Sequence, residues 1–337
     1  MSIAVPLYGF GASGGGSGGT LTVTAPANVT VTISKDGKTK TKNSGTSGVV
    51  VFKGLASGTW TVTITGDGKT AQKNVVITTD YSTAISFNTI PEFTYTGDYE
   101  IVNDSDEPIT VSQDNWKIRF LTSGTLTFTN LNGAEGGIDV FLVGGGGGGG
   151  QGWNSAGAGG GGGYTKTVKA VTVAAGTAYT ITVGAGGTVT STAKSNDGGI
   201  TSAFGSSASG GQGGGGINQS NIDWVGGNGG SGGANYPHNY GGTDGSNANP
   251  GGTGQGTTTR EFGISGGKLY SGGGSSGTNI YGDGTTIGAV DVTAGAAGVS
   301  PPSNRGGGGG GSNHAGYNNA TAGGSGIVII RNARGAA

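Results

Sequence analysis

Cysteine is absent from the 337 residues, which removes both a disulfide framework and thiolate metal ligation. Charge is sparse at 10% of residues, with 17 Lys and Arg against 18 Asp and Glu and a formal net charge of -1. Nucleic acids and anionic membranes are held by basic patches, so neither is an expected partner. No apolar run approaches the roughly 18 residues of a membrane span, and residues 1–10 have no basic segment leading into an apolar one, so neither membrane insertion nor a conventional export signal is expected. Histidine occurs only at His238 and His314, neither in metal-ligand spacing, and no metal site is expected. Neither a nucleophile elbow between strand and helix nor a paired-carboxylate site can be singled out, so the chain does not read as an enzyme. Proline is scarce at 8 and no Gly-X-Y period exists, which excludes collagen. Low charge and low proline also fit poorly with plain disorder.

What the chain has is glycine, 82 residues of it. Residues 144–150 are seven consecutive glycines, and they follow directly on the apolar run Ile138-Asp139-Val140-Phe141-Leu142-Val143. Glycine forfeits the most backbone freedom on ordering and adds no side chain to a core, so such runs are either disordered or packed main chain against main chain. Extended glycine adopts a polyproline-II-type helix with three residues per turn and no internal hydrogen bonds. Each N–H and C=O must then find a partner outside its own rod. An unpaired buried group costs about 1–3 kcal/mol, enough to offset an ordering entropy of about 1–2 kcal/mol per residue when rods bond laterally. The chain closes on Ile327-Val328-Ile329-Ile330, a buried-strand signal that a disordered tail has no reason to carry. The expectation is an ordered lattice of rods held between this strand and the one at 140–143. Gly-x-Gly-x-x-Gly strings inside 144–150 and 306–311 are not followed by a helical pattern, so no nucleotide or other cofactor is expected.

The fold class that follows is all-β: a small antiparallel β-sandwich, then a β-framed glycine-rich domain with polyglycine-II helices packed in a lattice, and essentially no α-helix. Residues 1–19 form an apolar arm and a Gly/Ser linker, with Val5, Pro6, Leu7, Tyr8 and Phe10 either docking onto a partner or fraying as a terminus. Residues 20–88 alternate apolar residues with Thr, as in Val29-Thr30-Val31-Thr32-Ile33, and the turn signals Asp36-Gly37 and Asp67-Gly68 separate about seven expected strands. Residues 89–143 read as a strand-rich connector and the start of the glycine-rich domain, which occupies 144–337. Within 89–143 the acidic turn Asn103-Asp104-Ser105-Asp106-Glu107-Pro108 reads as a solvated loop, because calcium-loop spacing is missing. Inside the glycine region, Trp153, Trp224, Tyr236, Tyr240, Tyr270, Tyr281 and Tyr317 sit among Asn, Ser and Gly. That is the composition of adaptable contact surfaces, though such rings can equally cover the flanks of a lattice. The segment Asn235-Tyr236-Pro237-His238-Asn239-Tyr240 is the first candidate for a binding loop, and Asn313-His314-Ala315-Gly316-Tyr317-Asn318-Asn319 the second.

Residues 48–60, Gly-Val-Val-Val-Phe-Lys-Gly-Leu-Ala-Ser-Gly-Thr-Trp, resemble the strand, turn and strand of PEGA-like and carboxypeptidase-regulatory-like Ig-type sandwiches. Further on, Trp116-Lys117-Ile118-Arg119-Phe120, Asp139-Val140-Phe141-Leu142-Val143 with its glycines, Gly162-Gly163-Tyr164-Thr165-Lys166-Thr167, Ile181-Thr182-Val183-Gly184 and Gly326-Ile327-Val328-Ile329-Ile330-Arg331 form an ordered set. From about Asp114 to Arg331 the chain resembles the glycine-rich domain of tail-fibre and adhesin proteins in phages and prophages of Gram-positive gut bacteria. The resemblance implies a location on the virion exterior and attachment to a bacterial surface glycan or protein. Other tail proteins would be partners at the arm, and homo-oligomerisation, as a trimer, is a further implication. The resemblance fixes no binding residue; the loop composition itself makes Trp153, Trp224, Tyr236, His238, Tyr240, His314 and Tyr317 the candidate receptor-binding residues. The alternative is a structural head fibre or decoration protein that uses the lattice as a stiff spacer.

Overall fold

The computed structural model describes residues 18–66, 69–85, 90–109, 112–113, 115–132, 134, 136–152, 156–190, 194–218, 221–222, 225–236, 240–277, 293–295, 299–313 and 319–334. The chain divides into two compact units, residues 1–88 with 111–113, and residues 89–110 with 114–337. The arm residues Val5, Pro6, Leu7, Tyr8 and Phe10 lie outside the described residues.

The first unit is a sandwich of strands β1 (Gly19–Thr24), β2 (Thr30–Lys35), β3 (Lys38–Asn43), β4 (Val49–Leu55), β5 (Gly58–Gly66), β6 (Lys69–Ile77) and β7 (Tyr81–Ala84). One sheet runs β4-β1-β7; the other runs β6-β5-β2-β3, with the two-residue strand Ser112–Gln113 added beside β6. The period of two in the sequence decides the layers. Val31, Ile33, Val62, Ile64, Leu21 and Val23 are fully buried between the sheets while the intervening threonines face outward. Asp36 and Gly37 adopt φ of 48° and 73°, the left-handed pair that a two-residue hairpin between β2 and β3 demands. The sandwich departs from a purely antiparallel one at β1–β7 and at Ser112–Gln113 with β6, which pair parallel.

The second unit carries β8 (Glu92–Tyr95), β9 (Tyr99–Val102), β11 (Lys117–Phe120), β12 (Gly124–Asn130), β13 (Ile138–Val143), β14 (Thr165–Val171), β15 (Ala178–Ile181), β16 (Thr201–Ala203), β17 (Ser206–Ala208), β18 (Ile217–Asn218), β19 (Asn221–Ile222) and β20 (Ile327–Asn332); β10 is Ser112–Gln113. A five-stranded sheet in the order β14-β13-β20-β11-β9 faces a three-stranded sheet β15-β12-β8. Between them lie Trp116, Ile118, Phe120, Leu126, Phe128, Val140, Leu142, Val328 and Ile330. The opposite face of β13 and β20 is covered too, by Phe262 and Tyr270 against Phe141, Val143, Ile327 and Ile329. Burial on both faces is why β13 and β20 read as continuous apolar runs rather than alternating ones. Tyr270, grouped by sequence with the polar-loop aromatics, is fully buried, and its hydroxyl donates to Glu261 Oε2 at 3.1 Å.

Two of these strands run straight into glycine rods. Strand β13 continues into rod 144–150, and rod 157–163 leads into β14, its antiparallel neighbour in the sheet. In rod 144–150 the hydrogen-bond partner changes with every residue and repeats every third. Gly144, Gly147 and Gly150 donate N–H to the carbonyls of Tyr164, Gly161 and Ala158 at 2.8–2.9 Å. Gly145 and Gly148 donate to Gly199 and Asn196, and Gly146 and Gly149 to Gly324 and Thr321, at 2.9–3.0 Å. Three further rods donate inward: Gly211 and Gly214 to the carbonyls of Gly145 and Gly148, Gly187 to Gly146, and Gly309 and Ser312 to Gly147 and Gly150. A three-residue turn presents successive residues about 120° apart, so this repeat is the polyglycine-II helix. The rod lies at the centre of six others, running through 157–164, 195–199, 321–324, 209–215, 184–188 and 306–312.

Rod 157–163 repeats the arrangement, its donors going in rotation to 306–312, 209–215 and 231–234. At most of its glycines the packing leaves no room for a side chain, although the methyls of Ala158 and Ala234 are accommodated. A Cβ on Gly144, Gly145, Gly146 or Gly147 would lie 2.0 Å from a carbonyl oxygen of Ser209, Ala185, Gly307 or Gln212 respectively. Hydroxyl side chains enter the lattice where they complete main-chain bonding. Ser195 Oγ donates to the Gly149 carbonyl at 2.7 Å, and Ser312 and Thr321 hydroxyls accept from Gly152 and Gly310 at 2.7 and 2.8 Å.

Candidate functional site: the distal end of the lattice

Strand-to-rod continuity gives the lattice two unlike ends. At one end the rods pass into the paired sheets. At the other, residues 150, 158, 215 and 312 stand level with one another, bonded as Gly150 to Ala158, Ala158 to Gly215 and Ser312 to Gly150. Rod 225–230 starts at this level, since Gly215 donates to the Val225 carbonyl, and rod 231–234 ends here, since Gly159 donates to Ala234. Gly277 stands here too, donating to Gly157. The connections 151–156, 216–224, 235–240 and 313–320 therefore leave from and return to one end of the unit, and the segment after 277 starts there.

The bases of two of these connections, and of the one between rods 184–188 and 195–199 that reaches the same level at Lys194 and Gly215, are closed by side chains. Asn235 Oδ1 accepts from the Gly226 N–H at 2.7 Å, Asn319 Oδ1 from Asn313 at 2.8 Å, and Thr190 Oγ1 donates to the Lys194 carbonyl at 2.8 Å. Asn and Thr at these positions do locally what a neighbouring rod does elsewhere, supplying a partner to the last main-chain groups.

Of the residues singled out from sequence, Tyr236 is half-buried and Tyr240 is 47% exposed, both at this end. Val225, not singled out, is exposed at the same end. Trp153, Trp224, His238, His314 and Tyr317 lie outside the described residues, as does Tyr281. The described residues of the distal end offer amide and hydroxyl groups together with exposed apolar side chains, a surface suited to stacking and hydrogen bonding.

The second cluster of polar groups lies at the other extremity, where β11 and β20 begin and end. Lys117 Nζ sits between Asp106 Oδ1 at 2.7 Å and Glu261 Oε1 at 2.8 Å, and Lys268 Nζ reaches Asp106 Oδ2 at 2.5 Å. Arg331 pairs with buried Asp139 at 3.0 Å and lies over the Phe262 ring at 4.1 Å, while Arg334 pairs with Asp104 at 2.6 Å. The acidic turn is exposed at Asp104, Ser105 and Glu107, as a solvated loop would be, but its two aspartates also pair with strand ends and with Lys268, which gives two of its three carboxylates a structural role. Burial by itself would raise the Asp106 carboxyl, but hydrogen bonds and charge from Lys117 and Lys268 outweigh it and hold it down at about 2. Burial and the adjacent Glu261 push the Tyr270 phenol far above its ordinary value. A cavity of about 300 Å³ opens over this network. Its charges are already matched pair by pair. Among the described residues no group of three or more His, Asp or Glu side chains could hold a metal ion.

No curated protein matches the sequence. The glycine-rich domain family matches residues 121–333, a stretch that opens just before β12, takes in every rod of the lattice and closes on the last strand. The chain belongs to the glycine-rich domain family.

Proposed function

We propose that this protein is a phage tail-fibre or receptor-binding protein that attaches a virion to a bacterial surface glycan or protein through the distal end of the lattice. The N-terminal arm and the PEGA-like sandwich serve attachment to other virion proteins, and the glycine unit is the rigid presenter of the loops. It carries out no catalysis and requires no cofactor. The observation that carries this reading is the polarity of the lattice: strands at one end, and at the other the connections whose sequences hold Trp153, Trp224, Tyr236, Tyr240 and Tyr317 among Asn and Ser. A binding surface gains from that plan because a rigid base spares much of the ordering entropy that loops otherwise lose on binding.

The test is adsorption of the purified full chain to whole cells of a panel of Gram-positive gut isolates, beside a Tyr236→Ala, His238→Ala, Tyr240→Ala variant. Wild-type adsorption that weakens by about tenfold or more in the variant supports the reading. Equal adsorption removes this loop from the contact surface. Failure of the wild type to adsorb to any cell overturns the receptor-binding function and leaves the stiff spacer of a head fibre or decoration protein.

A further inference from the structure

The net charge of -1 conceals a division. Residues 1–88 carry seven lysines, Lys35, Lys38, Lys40, Lys42, Lys53, Lys69 and Lys73, against Asp36, Asp67 and Asp80, with no Arg or Glu; the remaining residues are acidic in sum. Five of the seven lysines lie along one seam of the sandwich, where β3 and β4 are the edge strands of opposite sheets. Lys40 and Lys42 pair in register with Ile33 and Val31, both fully buried, so they stand on the inward face of the edge strand. Their ammonium groups cross the seam to the carbonyls of Lys53 at 3.0 Å and Val51 at 2.7 Å, and Lys35 reaches the carbonyl of Ser57. None of the five is paired with a carboxylate among the described residues. Two hollows of about 560 and 590 Å³ follow one another along the seam with Lys40 lining both, and together they form a groove.

We propose that this groove binds a linear polyanion whose charges are phosphodiesters without attached bases, such as a polyol phosphate chain. Each ammonium has three donors, and Lys35, Lys40 and Lys42 each use one on the seam, which leaves further donors along the seam to meet an anion. Lysines at alternate positions of an extended strand recur every 6.6 to 6.8 Å or so, and Lys38, Lys40 and Lys42 of β3 set three charges along about 13 Å. Lysine without arginine is a set of point charges, fitted to repeated monoanions rather than to bidentate recognition of single carboxylates. An acidic peptide adding as a strand would need the β4 carbonyls, and those at Val51 and Lys53 are taken. Single-stranded nucleic acid would need ring faces for stacking, and the aromatic residues along the groove, Trp60 and Phe52, are 5% and 1% exposed.

The inference does not depend on the distal loops. It is tested on the full chain with surface-immobilised poly(glycerol phosphate), with an oligothymidylate and poly-glutamate of similar length as competing probes. Lys38 and Lys53 are exposed, so the double reversal Lys38→Glu, Lys53→Glu is expected to weaken binding by about tenfold or more, and binding by the wild type is expected to fall steeply with salt. Lys166→Glu, a change of the same sign at an exposed site in the other unit, is expected to leave binding within about twofold. Should the reversal perturb folding, Lys38→Gln with Lys53→Gln is expected to give an intermediate loss with an unchanged thermal midpoint. The Tyr236→Ala, His238→Ala, Tyr240→Ala variant should bind the polymer as the wild type does. Absence of wild-type binding to poly(glycerol phosphate), undiminished binding by both lysine variants, or tighter binding of the oligothymidylate or poly-glutamate overturns the proposal.

Discussion

The sandwich and the glycine lattice solve the same problem with opposite materials. In the sandwich, Leu21, Val31, Ile33, Phe52, Val62 and Ile64 remove apolar side chains from water, and the strands are held as much by that burial as by their ladder bonds. In the lattice the interior is main chain. Gly144, Gly145 and Gly146 have nothing to bury except their own amides, and each amide is directed to a different neighbouring rod. A side-chain core tolerates some exchange of shape at constant volume, because its contacts are non-directional. A main-chain core tolerates no added atom at glycines such as 144–147, because the spacing between rods there is set by an N–H to O=C distance. The same contrast explains why the lattice borders on a conventional core: β13, β14 and β20 fix the register of the first and last rods before any glycine has to be ordered.

The sharpest way to break the comparison is to put a side chain into each interior. Gly147→Val would set a Cβ 2.0 Å from the Gln212 carbonyl oxygen and force two main chains apart, with an expected cost of about 4 kcal/mol or more as the lateral bonds of several rods lengthen. Amide exchange should then accelerate across 144–163 and 209–215 while the sandwich keeps its protection. Ile33→Ala removes a fully buried side chain from the sandwich and is expected to cost about 3 kcal/mol, with exchange rising in β2, β3 and β5 and not in the rods. Equal tolerance of Gly147→Val and of a substitution at an exposed glycine would contradict a main-chain core.

An intermediate effect is expected from acid. The folded-state carboxyl of Asp106 titrates at about 2 against an ordinary 3.8, so its pairing stabilises the fold fully above pH 4 or so and is lost as pH falls towards 2. The contribution is about 2 kcal/mol, and Asp106→Asn should flatten the acid limb of a stability-against-pH curve followed by Trp116 fluorescence, that ring being buried next to Lys117. The smallest effect belongs to a glycine that is present for its conformation alone. Gly37 has φ of 73° and open space around its Cβ position, so Gly37→Ala is expected to cost about 1 kcal/mol, read as a shift of the sandwich's thermal midpoint.

Much of this architecture is legible from residue order. Alternation of Val and Ile with Thr between 29 and 64 determines which residues of β2 and β5 face inward, and the Asp36-Gly37 pair determines where β2 turns into β3. Runs of glycine bounded by Ile138-Asp139-Val140-Phe141-Leu142-Val143 and Ile327-Val328-Ile329-Ile330 require main-chain partners between rods, since nothing else in such a segment can offset its ordering entropy. What sequence could not supply is which rod neighbours which. Glycines are interchangeable as letters, and the six-fold surround of 144–150 depends on how strands more than a hundred residues apart pair in a sheet. Charge is a second case: a sum near zero gives no hint that lysines gather on one seam and aspartates at the strand ends, because like charges are brought together by register and not by adjacency. Burial of Tyr270 is the third. Its polar neighbours in sequence suggest a surface ring, whereas Phe141 and Phe262 pack against one another and Phe141 meets the tyrosine ring at 5.3 Å. By itself the order of residues determined that the main chain must bond sideways and where its strands begin. The tertiary fold alone decided the neighbours, because a hydrogen bond between bare backbones carries no record of the residue that makes it.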